Sequence, residues 1–543
     1  MSQNSTLNNT KQLGALSTFW IGIVAIYAST VAYFSVWDTL QYVYLLPLLF
    51  LGFASILKWF YKRSQKVVFL QTRSVMIRES RFVFAIAFSI IFCSQMLFWF
   101  AYYPGGFNLD AYGQWDQVHG LMALNNWHPV LTTGLYWIIT RVCDSFAFCI
   151  FVQLLVFSLS AAYLLFVLSN IGISRIILIL ASVYIAVCPG IGMNNVCLFK
   201  DVPFTIALIW MTVIGIRLIE TEGKWLCSIV HSLLFAAVLI IIPLIRHNGI
   251  FYSFALLFCA LLLFRKEIKQ LLAVSAVVIF ALLLVEGPVF KALSVEQHGN
   301  FVGESVGIPM AIMANAYVTD RENTPKEVQD FLLSIADESA WEEKYELGEW
   351  DSCKWDFGGT LLFEGESLSK FVKLTAETIY SLPEAAYESF RENTRVVWQV
   401  LGFSEWDTWV YIEPNDYGIV RSENEFCSEI VGSILSVSLS FLGCFFCWNI
   451  GVPTMAFLWL SVYSIARKEY GKLLLCVPPV IYNLCTMLFL CGPSHRYFYF
   501  NHVLAIPVIV YALYSQAMRQ QLPEKSNKLN HNHRPCRWFA QPP

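Results

Sequence analysis

The chain reads as a series of apolar runs separated by short polar connectors, with one long polar interruption at 291–427. Runs of near-spanning length fall at 13–36, 40–57, 82–102, 146–168, 176–190, 202–219, 225–244, 248–264, 271–290, 429–448, 452–466, 473–491 and 498–515. Since a bilayer takes about 20 residues of helix, these runs predict roughly thirteen candidate spans. Inside the interruption, 368–399 has amphipathic helical spacing broken at Pro383. Its interleaved Trp, Phe, Leu and Tyr predict a folded unit rather than a disordered one. No repeat of fixed period is visible. The expected fold is an all-α polytopic membrane protein of roughly 12–14 transmembrane helices, carrying an acidic, mainly helical extracytoplasmic domain.

Composition agrees with this class: 57% of the residues are hydrophobic, 14% are charged, and mean hydropathy is +0.56. Such values exclude an ordinary soluble globule. The first run follows a polar stretch with Lys11 alone for charge and no clear small-residue cleavage site, so a retained helix is expected rather than a signal peptide. The 15 cysteines fall almost entirely within apolar runs, and only Cys353 lies well inside the polar segment. That excludes a disulfide framework or a Cys-based metal ribbon.

Charge sets the expected orientation. Lys58, Lys62, Arg63, Lys66, Arg73, Arg78 and Arg81 face the single acid Glu79 in the connector at 58–81, which the positive-inside bias puts in the cytoplasm. The loop at 103–128 is then outside. Segment 291–427 holds 26 of the 39 acidic residues and 10 of the 36 Lys and Arg, a net of −16 against +13 for the rest. This acidity suits a translocated segment. The chain therefore divides into a helical hairpin with basic connector (1–81), a membrane core (82–290), the acidic domain (291–427), C-terminal membrane helices (428–515) and a basic tail (516–543). Counting crossings puts Arg467-Lys468 and the tail on the wrong side unless 429–466 crosses once, or 128–142 crosses as well. The first is preferred, because 128–142 is short for a span and carries Arg141; a helix lying in the interface is expected there.

Candidate chemistry gathers at the outer boundaries. Tyr103-Pro104-Gly105-Gly106 leads to Asp110, Gln114 and Asp116, and then to His128-Pro129. Asp110 has two readings, as a base or cation ligand and as the N-cap of the following helix. Asp116 falls on a different helical face. The glycines are expected to let backbone approach a ligand. Lys200-Asp201 begins the next helix, where a cap and an interfacial anchor are the bland alternatives. Arg246 and Arg496-Tyr497 each read as a snorkelling anchor or as a guanidinium for phosphate, and Glu286 as a helix-end carboxylate. No Walker loop, HExxH, GxSxG or dinucleotide fingerprint occurs.

Together the outer Asp110 with Gln114, the His128-Pro129 helix start, the second Asp in Lys200-Asp201 and Arg496-Tyr497 resemble the GT-C superfamily of multi-spanning glycosyltransferases, nearest in layout to a bacterial branch. The likeness extends over most of 82–515 and rests on the ensemble of short motifs. It implies a polyprenyl-phosphate-linked sugar donor, an envelope glycan, lipid or protein acceptor, and a site at the outer face of the cytoplasmic membrane. Asp110 and Asp201 would be catalytic, or ligands of a divalent cation (Mg or Mn) if a metal is used. Many members carry an acidic pair in the first loop, whereas Leu109 precedes Asp110 here, which weakens the metal reading. Gln114, His128, Lys200, Arg246, Arg496 and Tyr497 would bind substrate, the two arginines on charge and position alone. The rival classes are a transporter or flippase, which would want mid-span charges and an inverted repeat, and a non-catalytic envelope-assembly protein.

Overall fold

In a computed structural model, which describes residues 2–65, 77–296, 303, 305–359, 362–363, 366–402, 410–422 and 424–514, the chain is helical, with no strand among these residues. Most of the basic connector, parts of 291–427 and the tail at 516–543 lie outside the described residues. Six helical stretches are long and apolar enough to span a membrane: Ser17–Val36, Leu40–Ser64, Glu79–Ala101, Phe146–Ile171, Asp201–Glu220 and Arg265–Ala292. Two bent pairs, Arg175–Val187 with Pro189–Asn195 (59°) and Glu425–Ser438 with Phe441–Cys447 (100°), raise the number to eight if each counts as one span. The sequence expectation of twelve to fourteen is larger because it includes apolar helices of only 10–17 residues, such as Ile229–Ile245 and Gly451–Ala466. Residues 128–142 hold the 11-residue helix Val130–Thr140, too short to span.

Hydrogen bonds between distant segments sort the helix ends into two groups. At one end Arg467 donates to the Gln65 carbonyl (3.3 Å), Tyr514 to that of Ile171 (3.2 Å), Tyr511 to Glu220 (3.0 Å) and Lys472 to the Ala512 carbonyl (2.9 Å). At the other, Gly106 N meets the Val196 carbonyl (3.0 Å) and Trp350 N that of Cys491 (2.6 Å). The pair Glu425–Ser438 and Phe441–Cys447 begins and finishes at this second end, because Asn424 N bonds the Phe100 carbonyl (2.9 Å) and Asn449 Nδ2 the Val400 carbonyl (3.0 Å). It is a re-entrant hairpin. Gly443 permits its sharp turn, since a Cβ there would lie 2.4 Å from the Ser438 carbonyl oxygen, and Ser440 caps the second limb through Gly443 N (3.2 Å). Only Gly451–Ala466 then passes to the other end, so 429–466 traverses the bundle once.

The acidic segment packs on the second end. Trp341, Trp350, Phe331, Phe363 and Phe371 form a buried aromatic cluster that also takes in Cys491. Losing one such ring costs about 3–5 kcal/mol. The last helix of the segment, Pro383–Trp398, grips the tip of the first hairpin with side chains one to two turns apart. Glu384 accepts from Leu40 N (2.9 Å), Tyr387 donates to the Trp37 carbonyl (2.8 Å) and Arg391 Nε to the Phe34 carbonyl (2.8 Å). These bonds satisfy backbone groups that the end of a helix leaves open.

Candidate functional site

The first loop is strapped to the second by backbone. Gly105 adopts φ +128°, and a Cβ on it would lie 2.6 Å from the Val196 carbonyl oxygen. Its freedom serves this close approach rather than access for a ligand. Gln153 Nε2 holds the Asn195 and Cys197 carbonyls at 2.8 Å each, and Asn195 is fixed in turn by Gln95 (3.0 Å) and Tyr499 (3.0 Å). Buried amides with partners on both sides make a rigid mount.

On this mount the helix Leu109–His119 begins at Asn108, whose side chain accepts from Ala111 N (3.1 Å). Asn108 is the cap. The N-cap reading of Asp110 is thereby corrected: Asp110 is already inside the first turn, where the helix dipole favours a negative charge. Its Oδ2 accepts from Arg496 Nη1 at 2.6 Å, and its Oδ1 lies 3.8 Å from His128 Nε2. The His128 Nδ1 faces Lys200 Nζ at 3.4 Å. An ammonium can only donate, so Nδ1 is the acceptor and the proton of neutral His128 belongs on Nε2, toward Asp110.

Burial alone would raise the Asp110 carboxyl, but Arg496, His128 and Lys200 outweigh it and hold the group well below the usual carboxylate range. Burial, with Lys200 adding to it, pushes His128 down to about 3. His247, which bonds the Asn126 carbonyl at 3.0 Å, is pushed down too, by burial and then by Lys200. Near neutral pH the site is one carboxylate among fixed cations and uncharged histidines.

A second ion pair lies alongside. Asp201 and Arg246, both buried, pair directly. Asp201 therefore stands against Arg246 and not with the group around Asp110. The Arg246 guanidinium lies 4.3 Å from the Tyr497 ring centre, and that of Arg496 lies 5.1 Å from the same ring and 4.9 Å from Phe199. Tyr497 joins the two pairs through cation–π contacts. Gln114, one turn after Asp110 on the same helical face, is buried, and its Nε2 has no hydrogen-bond partner among the described residues.

Asp116 points elsewhere, accepting from Tyr417 at 2.5 Å, and Glu286 is exposed in the π turn Val285–Val289. Phe199, beneath Arg496, and the Gln95–Asn195–Tyr499 support escaped the sequence reading; the Asn194-Asn195 doublet in apolar surroundings was the available signal. A divalent cation does not fit this arrangement. Each carboxylate is engaged by an arginine, Lys200 adds further positive charge, and among the described residues no three His, Cys, Asp or Glu come together as ligands. No protein-family model, no curated protein and no solved structure matches the chain.

Proposed function

We propose that the chain is a membrane glycosyltransferase that moves a sugar from a polyprenyl-phosphate donor to an extracytoplasmic glycan, lipid or protein acceptor, with inversion at the anomeric carbon. The observation that carries the reading is the Asp110–Arg496 pair, set beside Lys200 and His128 where the bundle meets the acidic segment. On this reading 291–427 is the extracytoplasmic domain and the chain crosses the cytoplasmic membrane twelve times, with the short helices completing the bundle. The re-entrant hairpin then leaves Arg467-Lys468 on the cytoplasmic side, as their charge favours.

The resting site holds its base in check. A carboxylate paired this strongly is a poor proton acceptor, because a general base works best with a pKa near the operating pH. A donor phosphate competes for the Arg496 fork, which suits a phosphate as well as a carboxylate. As Arg496 turns to the phosphate, Asp110 loses its strongest partner and its basicity rises. Asp110 then takes the acceptor hydroxyl proton while the acceptor oxygen bonds to the anomeric carbon. The bond from that carbon to the phosphate oxygen breaks with its electron pair left on the phosphate, where Arg496 and Lys200 stabilise the charge. His128 Nε2–H and the unpartnered Gln114 amide orient the carboxylate and the acceptor. The polar side chains gather at one end of the bundle, which favours a transferase over a solute carrier.

Donor binding tests the reading. Arg496→Lys keeps the charge and loses the fork, so the Kd for a radiolabelled polyprenyl-phosphate sugar in nanodiscs should rise about tenfold while the protein stays folded. Unchanged donor affinity would reduce Arg496 to an anchor.

A further inference from the structure

Away from the Asp110 site, a polar cavity of about 100 Å³ lies between the end of the first span and the helix Pro383–Trp398. Ser35, Arg391, Glu392, Arg395, Trp398 and Gln399 line it. We propose that this cavity binds a phosphodiester monoanion, as presented by a phospholipid headgroup.

Arg391 and Arg395 are four residues apart and share one helical face. The Arg391 Nε is committed to the Phe34 carbonyl (2.8 Å), which fixes the guanidinium plane, and neither terminal amine has a hydrogen bond among the described residues. Those two amines offer the parallel donors that a phosphate takes best. Arg395 is ion-paired to Glu392. Among the described lining residues Arg395 and Glu392 offset each other, and Arg391 leaves a single positive charge, which matches a diester with one negative charge and not a dianionic monoester. Ser35 donates its hydroxyl to the Val31 carbonyl (2.7 Å), so the guanidinium donors open to the cavity are the terminal amines of Arg391.

Position argues for lipid as the source. Ser35 is the next-to-last residue of the span Ser17–Val36, where the apolar stretch stops and headgroups begin. Trp37, half-buried one residue past the end of that span, stands at the same level as an interfacial aromatic does. A water-soluble phosphodiester has the same chemistry, and the experiment separates the two.

Full-length protein is purified from nanodiscs containing phosphatidylglycerol, and retained lipid is counted by native mass spectrometry, with and without excess glycerophosphoglycerol, the deacylated headgroup. Arg391→Gln should lower retention about tenfold. Glu392→Gln, which leaves the Arg391 anchor to Phe34 intact and removes the competing carboxylate, should raise it severalfold. Lipid retention that follows both variants and resists glycerophosphoglycerol supports the headgroup. If the soluble diester binds and displaces lipid with the same dependence on both variants, the site stands and its source is soluble. Occupancy by either ligand that ignores Glu392→Gln overturns the proposal, and that arm is readable even if Arg391→Gln fails to fold.

Discussion

Replacing Asp110 by Asn separates the proposed base from the capping of its helix. The cap belongs to Asn108, so helix initiation is untouched. What is lost is the negative charge, both from the hydrogen bond with Arg496 at 2.6 Å and from the first helical turn, where the dipole favours it. Bonds to charged groups contribute about 1.5–3 kcal/mol, and the lower figure applies, because 27% of the Asp110 side chain is open to solvent. Arg496 keeps its contacts with Phe199 and Tyr497, so it stays near its place. A small fall in melting temperature should therefore accompany a drop in turnover of ~10²–10⁴, the usual scale for a general base. The assay is sugar transfer from a polyprenyl-phosphate donor by purified protein in nanodiscs, read beside thermal melting. Adding Arg496→Gln to Asp110→Asn removes the orphaned charge and should recover stability without recovering transfer, as a double-mutant cycle would resolve. Transfer by Asp110→Asn within a few-fold of wild type would refute the assignment.

Asp201→Asn should behave in the opposite way, lowering stability by about 3–5 kcal/mol through the stranded Arg246 charge, visible as a large melting shift; a well-folded variant with selectively lost turnover would restore Asp201 as a catalytic candidate. His128 titrates well below an unfolded histidine, so the unfolded chain binds more protons between about pH 3 and the ordinary value of 6.5; melting temperature should fall as pH drops from 6.5, and His128→Gln should flatten that slope. Asp110 adds its own loss only below the ordinary carboxylate range, because its folded value is depressed and its stabilisation is complete above that range. For topology, Ser339→Cys should react with an impermeant thiol reagent in intact cells and Lys468→Cys only after lysis; the reverse pattern would invert the proposed orientation.

Much of the site was legible because its residues are out of place in an apolar chain. Asp110, His128, Lys200, Arg246 and Arg496 stand out at the ends of hydrophobic runs, and a membrane protein retains such residues there for a reason. Their pairing was not legible. Asp110 and Arg496 lie 386 residues apart, and nothing local distinguishes that match from Asp110 with Arg246. The two readings of Asp110 stayed open because Asn108 and Asp110 are both good cap residues two positions apart, and only backbone dihedrals decide between them. The number of spans was legible only coarsely, for a different reason. Hydropathy measures the length of an apolar run, and neither the 100° turn between Ser438 and Phe441 nor the shortness of Gly451–Ala466 alters that sum much. The folded nature of 291–427 was visible in its aromatic content, whereas its grip on residues 34–40 is tertiary.

The re-entrant hairpin bears on how the protein is assembled during synthesis. Its first limb, Glu425–Ser438, has 14 residues, so as it leaves the ribosome it is too short to rest across a bilayer by itself. The surface it needs already exists: Asn424 N bonds the Phe100 carbonyl (2.9 Å) and the Ser428 hydroxyl that of Ala101 (3.1 Å), both made more than 300 residues earlier. On the proposed topology the hairpin folds against the end of the helix Glu79–Ala101, and Gly451–Ala466 is the next segment to cross. A substitution that loosens the backbone near residue 101 would then appear first as a failure to insert the C-terminal helices correctly, before any loss at Asp110 is felt.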